Sequence, residues 1–565
     1  MEKERITGAE ALMRSLEHQG VKTLFGYPGG SIMPTFDALY GHRETLNHIL
    51  VRHEQGAAHA AQGFARVSGK VGVCLVTSGP GVTNTITGVA DAMLDSTPIV
   101  VIAGQTPTSL LGTDAFQEVD LVGITQPITK WSYQIRRAED VAWAVARAFY
   151  IAKSGRPGPV VLDFTKNAQT DMVDYEPVEL DFIRSYDPIP DTDRVELQHA
   201  ADLINAAERP FALVGQGVEL GNAQEELRLF LEKADIPCGR TLLGLSAIPS
   251  NHPLNKGMLG MHGNLGPNIK TNECDVLIAI GMRFDDRVTG NLATYAKQAK
   301  IIHMDIDPSE INKNVKVDIP VLGDCKETLA ELTKLVRETK HTEWIESFAE
   351  HEKVEYDHVV AKEIQPGEGP LNMGEVVCAV SEATRHGAIL VTDVGQNQMM
   401  AARYFKYTKE RSIVTSGGLG TMGFGLPAAI GATFGRPDRT VCVFMGDGGL
   451  QMNLQEFGTM MEQQAPVKMI LMNNNYLGNV RQWQAMFFGG RYSFTPMLNP
   501  DYMKIAEAYG IPFRRVTERA ELKDAIAEMI ATDGPFLLET RVVEEGKVLP
   551  MTPPGGTVNQ MLLDC

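Results

Sequence analysis

Short runs of consecutive apolar residues recur along the chain. Each is followed by a Gly-rich or polar cluster and then by a stretch with helical spacing. The clearest are VGVCLVTSGPG, TPIVVIAGQ, GPVVLDFT, RPFALVGQG, DVLIAIGM, AKIIHMDID, AILVTDVG, TVCVFMGDG and VKMILMNNN. Uninterrupted apolar runs suit strands covered on both faces, so they predict parallel sheets flanked by helices. The expected fold class is α/β, with three doubly wound domains built on mostly parallel central sheets. In such sheets ligands bind beyond the carboxyl ends of the strands, which directs attention to the Gly-rich clusters.

At about 150–200 residues per domain, 565 residues accommodate three. Two stretches look like linkers. One is acidic and proline-bearing, from Gln169 to Asp193; the other, IQPGEGPLN, follows a charged helix. They divide the chain into 1–180, 190–345 and 370–545, leaving a Pro/Gly-rich tail at 546–565 that is either an ordered flap or loose. TSGPG at 77–81 and TSGGLG at 415–420 each lead into a helix-forming run, as a duplicated domain would.

The net charge, 52 − 70 = −18, excludes the basic footprint of a nucleic-acid binder and disfavours an anionic membrane surface. No apolar run reaches the roughly 18 residues of a membrane span. The start, MEKERITGAEALMRSL, reads as an amphipathic helix and not as a signal peptide. Seven scattered cysteines without a CxxC pair fit buried reduced thiols and a cytoplasmic location.

The strongest chemical signal is VCVFMGDGGLQMN followed by VKMILMNNNYLG. Asp447 and Asn474 each follow a buried strand, 27 residues apart. A strand–helix–strand unit of that length sets the two loops side by side. Two hard oxygen donors then face one point, which suits a small divalent cation that takes its other ligands from phosphates and water. Gly446, Gly448 and Gly449 let backbone amides approach a diphosphate at a helix N-terminus. A lone GDG would signify no more than a turn.

This spacing resembles the signature of thiamine-diphosphate enzymes, a GDG followed by paired asparagines. HEQGAAHAAQGFAR (53–66), YPGG (27–30), AFQE (115–118), SGRPGPV (154–160), RFDDRVTGN (283–291), DVGQNQM (393–399), SGGLGTMGFGLPAAIGA (416–432) and VRQWQ (480–484) extend the match over nearly the whole chain. Together they are similar to the large catalytic subunit family of acetolactate synthase. RFDDRVTGN and the Trp of VRQWQ single out that member.

The resemblance implies pyrimidine-binding, FAD-binding and diphosphate-binding domains, in that order. It implies that Glu54 hydrogen-bonds the cofactor's pyrimidine and favours its basic imino tautomer, acting across a dimer interface. It implies that Met422 wedges between the cofactor rings, and that Val394, Gly395, Gln396, Asn397 and Gly420 touch pyrimidine and diphosphate. The third protein ligand to magnesium would be a main-chain carbonyl near Tyr476. Gly29, Gln117 and Lys166 would line the active site. Trp483 would favour the larger ethyl ketone, and Arg287 would clamp a substrate carboxylate. FAD would be held by Arg156, Gly215–Gln216–Gly217, Gly260–Met261–His262–Gly263, Gly281, Arg283, Asp285 and Asp305–Ile306–Asp307, in a structural and not a redox role. Three positions depart from the family pattern: Asn397 stands where His is usual, Ser31 where Ala is common, and FTKN replaces a Pro-Lys-Asp run while keeping Lys166.

The implied activity decarboxylates pyruvate on thiamine diphosphate and ligates the remaining two-carbon unit to pyruvate or 2-ketobutyrate, the first common step toward branched-chain amino acids. The implied assembly is a homodimer or homotetramer with active sites at the subunit interface and a separate small regulatory subunit. Alternatives are a pyruvate oxidase, a glyoxylate carboligase, a simple 2-keto acid decarboxylase, or a non-catalytic flavin-binding protein. Glu54, Trp483 and RFDDRVTGN argue against the first three, and Glu54 with the metal pair against the last.

Overall fold

A computed structural model describes residues 4–564. Three six-stranded sheets organise them, and every strand pairing within the three is parallel. The apolar runs become these strands. Gly72–Val76, Ile99–Gln105, Val276–Ile280 and Val467–Asn473 are buried along their whole length, because helices cover both sheet faces.

The first sheet runs, edge to edge, Asn47–Leu50, Thr23–Gly26, Gly72–Val76, Ile99–Gln105, Val160–Thr165, Trp131–Ile135. The third runs Ile413–Val414, Ile389–Thr392, Val441–Gly446, Val467–Asn473, Phe536–Arg541, Phe513–Val516. Numbered along each domain, both orders are 2-1-3-4-6-5. The kinship hinted at by TSGPG and TSGGLG is therefore a shared topology. The middle sheet runs Asn255–Met258, Cys238–Arg240, Pro210–Val214, Val276–Ile280, Lys300–Asp305, Ile319–Leu322. Its order is 3-2-1-4-5-6, that of dinucleotide-binding sheets, whose crevice lies where the order reverses.

The first and third domains pack through the helices Glu54–Ser68 and Gly425–Gly435. At Gly63 a Cβ would lie 1.9 Å from the Ala428 carbonyl oxygen, and at Gly431 1.8 Å from that of Ala60, so the two backbones touch.

Two segments differ from the sequence-based expectation. Residues Glu4–Thr7 form a strand that pairs antiparallel with Met172–Tyr175, and the helix begins only at Gly8; Met1–Lys3 lie outside the described residues. The same pairing, with the fully buried Gln169, ties the front of the acidic linker-like stretch to the first domain. The tail is an ordered strap. The Thr552 amide donates to the Met261 carbonyl (2.8 Å), the Asn291 amide donates to the Gly556 carbonyl (3.0 Å), and Val558 is buried. Six cysteines in the described residues are free; Cys74, Cys238, Cys274 and Cys442 are buried, and burial pushes the Cys238 and Cys442 thiols up to about 12. Cys565 lies outside the described residues. Among those described, no helix is long and apolar enough to cross a membrane.

Candidate active site

The order of the third sheet reverses between Ile389–Thr392 and Val441–Gly446, so the loops after these strands, Asp393–Asn397 and Asp447–Gly449, open onto one crevice. Asp447 begins the helix Asp447–Met452 and is 1% exposed. One carboxylate oxygen accepts the Gly448 amide (3.1 Å) and the other the Asn499 amide group (2.6 Å). Burial raises its pKa, and the Asn499 hydrogen bond opposes that rise. The next strand ends at Asn473, in register beside Val441–Gly446, which brings Asn474 alongside. Asn474 is also buried; its Oδ1 accepts the Tyr476 amide (3.2 Å), and its Nδ2 lies 3.4 Å from Gln396 Oε1.

Space around the glycines shows how tightly these parts converge. A Cβ on Gly446 would meet Asn397 Nδ2 at 3.2 Å, one on Gly448 would meet Met422 Cε at 3.4 Å, and one on Gly478 would meet both Gln396 and Asn474. Gly395, at φ +135°, adopts a backbone open to glycine, and this turns Gln396 and Asn397 inward. Asn397 is 4% exposed, and its Oδ1 has no partner within the chain. Asp447 and Asn474 thus offer hard oxygens, with the unpartnered Asn397 Oδ1 nearby, beside bare backbone: oxygens suited to a cation and amides suited to a diphosphate.

The middle sheet reverses between Pro210–Val214 and Val276–Ile280, whose following turns carry Gly215–Gly217 and Gly281. These turns meet backbone to backbone: the Gly217 amide donates to the Gly281 carbonyl (3.0 Å), and Gly281 has φ +58°. Beyond them opens a cavity of about 620 Å³. Arg156, Gly217, Gly260, Met261, His262, Gly281, Arg283, Asp285, Asp305 and Ile306 all line it. Gly215 lies beneath, packed on the Gly281 carbonyl. Arg156 is fixed by Asp307 (3.1 Å), Glu310 (2.7 Å) and Ser96 (2.8 Å). Burial lowers His262 to about 4, so its ring is neutral. The cavity continues to Val394, Ser416–Gly420, Arg287 and Trp483, and so reaches the third domain. Arg287 is exposed, with its guanidinium 3.7 Å from Asp286.

In the first domain the sheet order reverses between Thr23–Gly26 and Gly72–Val76, bringing YPGG and TSGPG together. Glu54, at the start of its helix, accepts the Asn84 side-chain amide (2.9 Å) and stands near Gly81. Gly29 packs on Thr77, and Gly79 packs on Gln117. Ser31 ties the two loops together, donating to Ser78 Oγ (2.7 Å) and accepting the Ser78 amide (3.1 Å). Lys166 is exposed at the start of the short helix Lys166–Thr170. Among the described residues, neither Glu54 nor Asp447 lines this cavity.

Three family models match the chain in this same order: "Thiamine pyrophosphate enzyme, N-terminal TPP binding domain" over residues 6–124, its central domain over 197–332, and its C-terminal TPP binding domain over 393–540. The chain is 45% identical to the probable acetolactate synthase large subunit of Methanocaldococcus jannaschii, covering 98% of this chain and 95% of the relative. It is 43% identical to the acetolactate synthase isozyme 2 large subunit of Escherichia coli, over 99% of both chains. It is 42% identical to the acetolactate synthase large subunit of Lactococcus lactis, over 98% and 96%. The chain belongs to the acetolactate synthase large-subunit family.

As a thiamine-diphosphate-dependent enzyme of that family, it carries supports that reading the sequence missed. Asp393, fully buried, accepts the amides of Val394, Gly423 and Gly425, which anchors the loop carrying Met422. Asn499 donates to Asp447 from 52 residues away, and Gln482 holds Gln396 (3.1 Å). Asp393 was findable, since it directly follows a strand in DVGQNQM; Asn499 and Gln482 carry no local signal.

Proposed function

We propose that this chain is the catalytic subunit of an acetolactate synthase, joining two 2-keto acids with loss of carbon dioxide. The convergence of Asp447, Asn474, Gln396 and Asn397 on one glycine-lined crevice carries this reading. Asp447, Asn474 and the main-chain carbonyl of Tyr476 would hold magnesium, which would offset the charge of the cofactor's diphosphate. Asn397 directs its amide at a phosphate oxygen, where it donates a hydrogen bond without adding charge. Thiamine diphosphate, when bound, supplies a nucleophilic ring carbon and an electron sink for decarboxylation.

The chain's residues prepare that chemistry. Glu54 of one subunit would accept from the pyrimidine of a cofactor seated on the partner's third domain. Met422 holds the cofactor bent. Lys166 and Arg287 bring positive charge, and Gln117 a hydrogen-bond donor, to the carboxylates of pyruvate and 2-ketobutyrate inside an acidic protein. Trp483 is the wall that ranks methyl against ethyl ketones. The middle cavity takes FAD: its volume, its 3-2-1-4-5-6 sheet and the crowded glycine turns suit a dinucleotide. The flavin is a structural element there. The product enters branched-chain amino-acid synthesis in the cytoplasm, and the words "large subunit" in the relatives' names support a separate regulatory small subunit.

The deciding experiment mixes purified protein with pyruvate, thiamine diphosphate and magnesium. Acetolactate, read by its colour reaction after acid decarboxylation, is the expected product; its absence overturns the assignment.

A further inference from the structure

The cavity wall Ser416–Gly420 is fastened from outside its own domain. The helix Ile86–Leu94 of the first domain carries Asp91, and Asp95 follows it; the two are 0% and 1% exposed. Asp95 Oδ2 accepts the Gly417 amide (2.8 Å) and Arg66 Nη2 (2.9 Å), while its Oδ1 accepts the Gly418 amide (2.7 Å). Arg66 also donates to the Thr415 carbonyl (2.6 Å). Asp91 uses a single oxygen: Oδ1 accepts the hydroxyls of Thr421 (3.0 Å) and Ser416, and the Ser416 hydroxyl accepts the Thr421 amide (2.9 Å). Its Oδ2 is buried without a partner.

These bonds end on the loop that walls the cavity. A Cβ at Gly418 would lie 2.9 Å from Asp95 Oδ1 and 3.2 Å from Nη2 of Arg283, a cavity-lining residue. The loop therefore lies where a first-domain carboxylate and a middle-domain arginine approach one another. It leads directly into Met422. Neither carboxylate lines the cavity, so any effect on a ligand is indirect.

We propose that Asp91 and Asp95 are positioning residues that fix the Ser416–Thr421 loop as the wall against which the flavin is held. This rests on the reading of the cavity as an FAD site. The two carboxylates differ in how many of their oxygens are engaged, and that difference makes the proposal specific. Asparagine at 95 cannot present two acceptors to Gly417, Gly418 and Arg66, whereas asparagine at 91 retains Oδ1 and replaces only the unpartnered oxygen.

The test titrates full-length wild type, Asp95→Asn, Asp91→Asn and Thr421→Val with FAD, following the quenching of flavin fluorescence at a temperature where circular dichroism shows each folded. Asp95→Asn is expected to bind FAD about tenfold more weakly, the effect of losing one charge-assisted hydrogen bond, and Thr421→Val about threefold more weakly. Asp91→Asn should stay within about twofold of wild type. A purely structural role would lower melting temperature without moving the FAD dissociation constant of folded protein. If Asp95→Asn does not fold, the contrast between Thr421→Val and Asp91→Asn decides. Wild-type affinity in Asp95→Asn and Thr421→Val overturns the proposal alone. Failure of the wild type to bind FAD overturns the flavin reading, and the proposal with it.

Discussion

The Glu456 side chain accepts the backbone amide of His53 at 3.0 Å, one residue before Glu54. It also accepts the Arg52 amide and the Thr459 hydroxyl, and it is fully buried. A carboxylate of the third domain thus sets the start of the helix that carries the proposed activating glutamate. Removing this acceptor leaves two half-buried amides without it, at about 1–3 kcal/mol. Glu456→Ala is expected to lower the melting temperature by several degrees, at about 2–4 °C per kcal/mol for a domain of this size, and to reduce turnover more than cofactor binding. Calorimetry and steady-state kinetics check both; unchanged turnover would remove Glu456 from any positioning role.

Glu54→Gln keeps the shape and loses the acidity. Deuterium exchange at the cofactor's ring carbon should slow by at least about 100-fold, the scale of a lost general acid–base partner, with magnesium and thiamine diphosphate still bound. Exchange at the wild-type rate would assign Glu54 to helix capping alone.

Asp447→Ala removes the charged member of the proposed metal-ligand pair. Thiamine diphosphate retention should fall steeply, and magnesium should no longer enhance it, as equilibrium dialysis with and without the metal would report. A wild-type magnesium response in this variant would exclude Asp447 as a ligand.

Trp483→Leu, in the cavity wall near Arg287, should lower the preference for 2-ketobutyrate over pyruvate. A methylene in an apolar pocket accounts for about 1–3 kcal/mol, or 10- to 200-fold. Product ratios from a mixture of the two keto acids measure it.

His48 sits in the edge strand Asn47–Leu50 of the first sheet against Phe36, its Nε2 buried and unpartnered, and burial lowers its pKa to about 4. Its folded pKa lies below the ordinary value near 6.5, so folding favours the neutral ring. The stabilisation is complete above about pH 6.5 and is lost as pH falls toward 4, by up to about 3 kcal/mol. His48→Gln should flatten the melting-temperature profile between pH 6.5 and 4 relative to wild type.

Much of this was legible in the chain itself. The apolar runs marked the parallel strands because burial on both faces leaves no polar alternation to confuse them. Asp447 and Asn474 were legible because a strand–helix–strand unit fixes their neighbourhood at short range. Glu456, Asp91 and Asp95 were not: their partners in the other domain lie more than 300 residues away, and an acid near a helix looks the same whether it faces water or another domain's backbone. The strand Glu4–Thr7 was missed for a related reason, since its partner is Met172–Tyr175 and nothing local distinguishes it from the helix it precedes.

The contact between the helices Glu54–Ser68 and Gly425–Gly435 has a symmetry of its own. Gly63 meets Ala428 while Gly431 meets Ala60, and in each helix the glycine follows the alanine by three residues. Each helix also follows the second strand of its domain. This is the reciprocal pattern of an isologous interface, here formed inside one polypeptide by domains of like topology. The two glycines are then equivalent positions about a local pseudo-dyad. Gly63→Ala and Gly431→Ala should destabilise the chain to a similar degree, and the pair should be strongly non-additive, because both methyl groups force the same two helices apart.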